Sequence, residues 1–117
     1  MRFGLMTEPQ LGMTYDEQVR AARVAERIGV EVFARSDHYA FPGKEGPHAT
    51  DAFTALAGLA RDTETIGLCV LVSPITFRHP AVIAKSAATV DEMSGGRMIL
   101  GVGTGWMDHE HDLFGLE

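Results

Sequence analysis

The chain reads as an α/β fold built on a parallel sheet. Four short apolar runs are separated by three longer stretches with helical periodicity, and polar or glycine-rich residues follow the runs. The string β-α-β-α-β-α-β calls for three right-handed crossovers in succession. It gathers the segments that follow the strands at one end of the sheet, where α/β enzymes bind and react. An open doubly wound sheet and half of an eight-stranded barrel both satisfy this string. A whole barrel takes roughly 250 residues and the chain has 117, so the pattern alone favours the open sheet.

Arg2 to Met6 is the first expected strand. After a loop from Glu8-Pro9 to Gly12, Thr14-Tyr15-Asp16-Glu17 has the form of a capping box, which predicts a helix start. Val19, Ala22, Ala25 and Ile28 carry its apolar face and Gly29 suits its stop. Val30 to Arg35 is the second strand. The loop Tyr39 to Ala49 holds two glycines and two prolines and is long enough to cover a site. Thr50 or Asp51 caps a helix through Ala60, with Phe53, Leu56, Leu59 and Ala60 inward. Ile66 to Val72 is almost wholly apolar, as a strand buried on both faces must be. A third helix enters at Pro80, runs to about Met93 and ends at Ser94-Gly95-Gly96. Met98 to Val102 is the fourth strand, with a short tail from Gly103 onward.

Residues 1–117 form a single unit, 45% hydrophobic and 22% charged. A formal charge of −6 without a basic patch argues against nucleic acid and against an anionic membrane surface. No run approaches the roughly 20 apolar residues of a membrane span, and the N-terminus lacks the apolar core of a signal peptide. Cys69 is the only cysteine, which leaves no internal disulfide and fits a reducing, cytoplasmic setting.

Three places can carry chemistry. Asp37 and His38 follow the second strand as Ser36-Asp37-His38, and neighbouring side chains at a strand end point apart, so they need not form a dyad. An imidazole suits proton transfer near neutrality. The alternative is that Asp37 caps a turn and His38 only packs. Cys69 lies in the third strand with no base or cation beside it in sequence, so it reads as a backbone contact and not as a nucleophile. Gly101-Val102-Gly103-Thr104-Gly105 has the spacing G-x-G-x-G, which argues against a Rossmann loop. Glycines there let backbone come close to whatever binds at the strand end, with Thr104 and Trp106 beside it. Asp108-His109-Glu110-His111-Asp112 offers five metal-capable side chains, but consecutive residues diverge, so no metal site is expected and the run reads as a solvated surface or helix start.

Met6-Thr7-Glu8-Pro9-Gln10, Ser36-Asp37-His38, Thr76-Phe77-Arg78-His79-Pro80, Ser94-Gly95-Gly96-Arg97 and Gly101 to Trp106 occur in that order over the whole chain. Together they resemble the N-terminal part of the bacterial-luciferase-like flavin and deazaflavin oxidoreductases, and more narrowly the members that use coenzyme F420. The resemblance implies the N-terminal half of a TIM (β/α)8 barrel. It also implies hydride transfer, of oxidoreductase or monooxygenase type, between coenzyme F420, or alternatively FMN, and a small organic substrate at the barrel mouth. It would place His38 and Asp37 in catalysis near the reactive ring. It would place Cys69, Val70, Gly103, Thr104, Gly105 and Trp106 against the cofactor, with a non-proline cis peptide near Cys69-Val70, where the register is one residue longer than the family's pattern. Sugar-phosphate dehydrogenases of the family carry a catalytic glutamate where Trp106 stands, so the resemblance does not extend to that substrate class.

A half-barrel leaves two edges and an apolar interior open. Three readings follow: an N-terminal half active in a full-length barrel or in one reassembled as a homo-oligomer; a non-enzymatic half-barrel that binds a flavin-like ligand or a partner; and a small doubly wound binding domain, which a non-sequential strand order would support.

Overall fold

A computed structural model describes residues 1–43 and 49–116. The elements are β1 (Gly4–Thr7), a 3-10 turn (Pro9–Leu11), α1 (Tyr15–Arg27), β2 (Val32–Arg35), α2 (Ala52–Asp62), β3 (Gly67–Pro74), α3 (Pro80–Ser94), β4 (Met98–Gly103) and α4 (Asp108–Phe114). The middle of the expected covering loop, residues 44–48, lies outside the described residues.

The local reasons match the chemistry of the termini. Thr14 and Glu17 close a reciprocal capping box on α1, with Glu17 N–H donating to Thr14 Oγ1 and Thr14 N–H donating to the Glu17 carboxylate at 2.8 Å. Asp51, not Thr50, caps α2 by accepting from Thr54 N–H at 2.8 Å. Pro80 occupies the first turn of α3, where its missing N–H costs nothing. Gly95 and Gly96, at φ of 70° and 88°, turn the chain into β4 through backbone angles that a side chain would disfavour.

All three strand pairs are parallel, in the order β1-β2-β3-β4. This sequential order removes the doubly wound reading, in which the strand order reverses. Leu5, Phe33, Leu68 and Met98 stand in one register row, and Met6, Ala34, Cys69 and Ile99 in the next. Successive rows face opposite sides. Phe33, Leu68 and Val70 bury against Ala22 and Ala25 of α1, Leu56 and Leu59 of α2, and Ile83 and Val90 of α3, in a single cluster. Among the described residues no helix covers the other face, and Met6, Leu71 and Ile99 are exposed there or beside the bulge of β3. Helices on one side of a sequential parallel sheet make four of the eight β-strands of a TIM barrel.

Both edges are apolar. Phe3, Leu5, Val24 and Ile28 line an open groove beside β1, and Leu100 and Val102 are exposed on β4. Ile28, expected on the inner face of α1, is 73% exposed because it is the C-cap and has rotated off the buried stripe. Among the described residues no helix is long and apolar enough to cross a membrane.

Beneath β4, Arg97 spends all five of its N–H donors. They reach Ser94 O, Thr63 Oγ1, Ile66 O, Ala60 O and Thr63 O at 2.8 to 3.1 Å. This fixes the start of the strand against the α2–β3 turn.

The α1–α2 contact depends on Gly58. A Cβ there would lie 2.3 Å from Tyr15 Oη, and that hydroxyl is held by a 2.6 Å bond to Asp62. Gly58→Ala gains about 1 kcal/mol of helix propensity but costs about 1–3 kcal/mol of overpacking. We therefore expect a net loss of about 1 kcal/mol in urea unfolding of the intact protein, partly recovered by adding Tyr15→Phe. A raised unfolding midpoint for Gly58→Ala would show that Tyr15 yields freely.

Candidate active site

The residues after β2 enter the C-terminal end of the sheet in alternating directions. Arg35 is buried and donates to Gln18 Oε1, Thr50 Oγ1, Thr50 O and Ser36 O at 3.2, 2.9, 2.7 and 3.0 Å. Burial pushes its guanidinium down to about 10, still a cation at neutral pH. Ser36 donates to Gln10 Oε1 at 2.6 Å, which ties the β1 loop to β2.

Asp37 is only 1% exposed. Arg78 grips it with two nitrogens, Nη1 at 2.5 Å and Nη2 at 3.0 Å, and also donates to Asp51. The Arg78 Cζ lies 5.2 Å from the ring centroids of both Tyr39 and Phe53. Burial opposes charge on Asp51, but the Thr54 N–H and Arg78 outweigh it and hold the carboxyl below its ordinary range. Burial likewise works against the Arg78 cation, and the bonds to Asp37 and Asp51 more than reverse this. Arg35, Asp37, Asp51 and Arg78 form a cluster with two charges of each sign under the mouth.

His38 comes forward from this base. Its Nδ1 lies 2.7 Å from Glu110 Oε2, and its ring stands edge-on to Trp106 with centroids 6.1 Å apart at 84°. Glu110 Oε1 accepts from the Tyr39 and Ala40 backbone N–H groups at 2.6 and 3.1 Å. Tyr39 stacks on Phe77 at 4.9 Å, and its phenol is pushed up to about 12, chiefly by burial. His111 Nδ1 bonds Met107 O at 2.9 Å and its Nε2 meets Thr76 Oγ1 at 2.8 Å. Helix α4 is thus pinned to the loops after β2 and β3.

The Asp108–Asp112 run is the helix start that the sequence allowed, with α4 beginning at Asp108, and not a wholly solvated surface. It is helical, and Asp108 and Asp112 are exposed, but Glu110 is 1% exposed and His111 is engaged. Glu110 escaped the sequence reading because its neighbours are polar. The available signal was its spacing of three from Met107, which is also buried and shares its helix face.

The glycine run has close neighbours of its own. A Cβ on Gly101 would sit 2.6 Å from Val70 O, one on Gly103 would sit 2.6 Å from Val72 Cγ2, and one on Gly105, at φ of 83°, would sit 2.8 Å from Thr76 Oγ1. Protein packing is thus sufficient to require all three. Thr104 is exposed with its hydroxyl 3.3 Å from Gly105 O, and Trp106 is 73% exposed. In β3 the pairing slips between Val70 and Ser73, and the cis peptide is Leu71-Val72, two residues beyond the expected Cys69-Val70. Val70 packs into the helix-side core, whereas Cys69 is on the opposite face, its thiol pushed up by burial.

A family model for luciferase-like monooxygenases matches residues 1–117. The chain belongs to that family. Pyrimidine monooxygenase RutA of Allorhizobium ampelinum is 34% identical over 115 residues, 95% of this chain and 31% of that protein. The F420-dependent glucose-6-phosphate dehydrogenase of Amycolatopsis mediterranei is 40% identical over 82 residues, 69% of this chain and 25% of that protein. Among solved structures, the coenzyme F420 dependent tetrahydromethanopterin reductase of Methanopyrus kandleri superposes with a TM-score of 0.82 at 29% identity, over 99% of this chain and 30% of that one. The chain thus spans less than a third of the length of these proteins.

The Arg78 cluster is directly testable. Arg78→Ala strands the buried Asp37 carboxylate and should cost about 3–5 kcal/mol in urea unfolding, and Arg78→Ala/Asp37→Ala should lose far less than the two single losses added. Additive losses would mean that the two residues act independently. Because the folded-state pKa of Asp51 is depressed, its contribution is present above the unfolded value near 3.8 and fades as pH falls below it. Asp51→Asn should flatten that acid limb of stability.

Proposed function

We propose that this chain supplies the N-terminal half of the active site of an oxidoreductase that pairs coenzyme F420, or alternatively FMN, with a small organic substrate. The observation that carries the proposal is the meeting of His38 and the exposed Trp106 at the C-terminal strand ends, beside the apolar open face. Exposed apolar side chains at the β3 bulge, Leu71 and Val72, next to a tryptophan and an imidazole, suit a flat heteroaromatic ring with one polar edge. F420-dependent relatives support the deazaflavin, and a Baeyer-Villiger monooxygenase of the same fold, solved in complex with FMN, keeps the flavin as the alternative.

In this reading Leu71, Val72, Gly103, Thr104, Gly105 and Trp106 border the ring, and Cys69 supports it from the strand behind. When bound, the cofactor supplies the hydride chemistry. The chain's own part is to orient the ring, exclude water with the apolar face and move a proton at His38. Asp37 acts from beneath, holding Arg78 and the Tyr39 loop. Trp106 in place of the sugar-phosphate enzymes' glutamate argues against that substrate class, while the glucose-6-phosphate dehydrogenase among the relatives argues for it. The open apolar face and edges are covered by further strands of a complete barrel, whether from a longer chain or a second copy.

Trp106 is the only tryptophan in these 117 residues, so in a protein carrying no other it reports the mouth directly. Titrating the intact protein with F420 and with FMN should give saturable quenching by one of them, and His38→Ala should leave that affinity within about twofold while lowering turnover by 10²-fold or more. Absence of quenching by both cofactors would refute the proposal, and full turnover by His38→Ala would remove His38 from the chemistry.

A further inference from the structure

Glu110 is a fully buried carboxylate that the proposed chemistry does not use, and each of its oxygens has a defined task. Oε1 accepts two backbone N–H groups, from Tyr39 and Ala40, at 2.6 and 3.1 Å. Those two donors leave Oε2 to face His38 Nδ1 at 2.7 Å. A carboxylate offers only acceptors, so the proton between Oε2 and Nδ1 belongs to the imidazole. We propose that Glu110 is the positioning residue of this site: it fixes His38 as the Nδ1–H tautomer and presents Nε2 as a bare lone pair, a proton acceptor for the substrate. The inference rests on the reading of His38 as the residue that moves a proton, and it gives that residue a direction.

The geometry separates this role from simple support of the Tyr39–Ala40 turn. Trp106 stands edge-on to the imidazole, and Nδ1 is committed to Glu110, so Nε2 is the ring nitrogen left for a reactant. The carboxylate is carried by α4, which the His111–Thr76 and His111–Met107 bonds hold in place. The tautomer is therefore set by a residue 72 positions away and not by His38's own strand.

Glutamine at this position makes an opposite prediction. In Glu110→Gln the amide oxygen must meet the two backbone N–H groups, because an NH2 there would oppose two donors. The NH2 then faces Nδ1 and donates to it, which forces the proton to Nε2. Turn support is preserved and the tautomer inverts.

The test is a long-range proton–nitrogen NMR correlation on the intact protein labelled with 15N-histidine, at a pH where His38 is neutral, with its signals assigned by their loss in His38→Ala. The wild type should show a protonated Nδ1 and an unprotonated Nε2, and Glu110→Gln should exchange the two. A wild-type Nε2–H would overturn the proposal without any variant, and so would a glutamine variant that keeps the wild-type tautomer. Since the spectrum needs neither cofactor nor substrate, failure of the cofactor titration and failure of this assignment are separate results.

Discussion

A guanidinium taken out of water must find enough acceptors to replace it, and the mouth of this protein is organised around that requirement. Arg78 arrives from the β3–α3 loop, takes Asp37 at the end of β2 with both terminal nitrogens and reaches Asp51 at the start of α2. One side chain therefore ties both ends of the β2–α2 loop to the β3–α3 loop. Arg35, buried alongside and satisfied by Gln18 and Thr50, balances the two carboxylates. Rearranging any one of these loops would leave a charge unpaired, so the loops keep one arrangement.

That rigidity is what makes the upper layer possible. With Asp37 held below, His38 projects at the mouth, and the segment from Tyr39 onward is turned so that its N–H groups meet Glu110. Helix α4 has only seven residues, too few to be stable by itself in water. It persists because Glu110, His111 and the Tyr39–Phe114 contact dock it on the loops. A weak helix thus carries a strong constraint.

The other face of the sheet follows the opposite logic. Gly101 lets the β4 backbone lie against Val70 O and Gly103 leaves room for the Val72 side chain, which accommodates the slip and bulge at Val70–Ser73. The bulge exposes Leu71 and Val72 next to the mouth, while Ala34 and Cys69 keep the centre of that face shallow. Low relief and apolar character there, with polar groups confined to the rim, account for a surface suited to a flat ring.

Order and direction of the elements were legible because each rests on local rules. Apolar runs mark buried strands, the Thr14–Glu17 box and Asp51 mark helix starts, and Gly95-Gly96 marks a stop. His38 and Trp106 were legible as candidates since both follow strands. The cis peptide was displaced by two residues because a bulge changes register without leaving a local signature. Crossovers shared by both architectures could not separate the doubly wound sheet from the half-barrel and chain length favoured the open sheet, whereas the sequential strand order, with all three helices packed on one face, decided for the half-barrel. The charged partners of Arg78 and His38 lie 27 to 72 residues away in sequence. The sequence by itself determined which segments would be strands and helices and which residues could do chemistry. Only the tertiary structure decided that Asp37 is bound to Arg78 and His38 to Glu110, because the pairing of buried charges is settled by which loops the closed crossovers bring together.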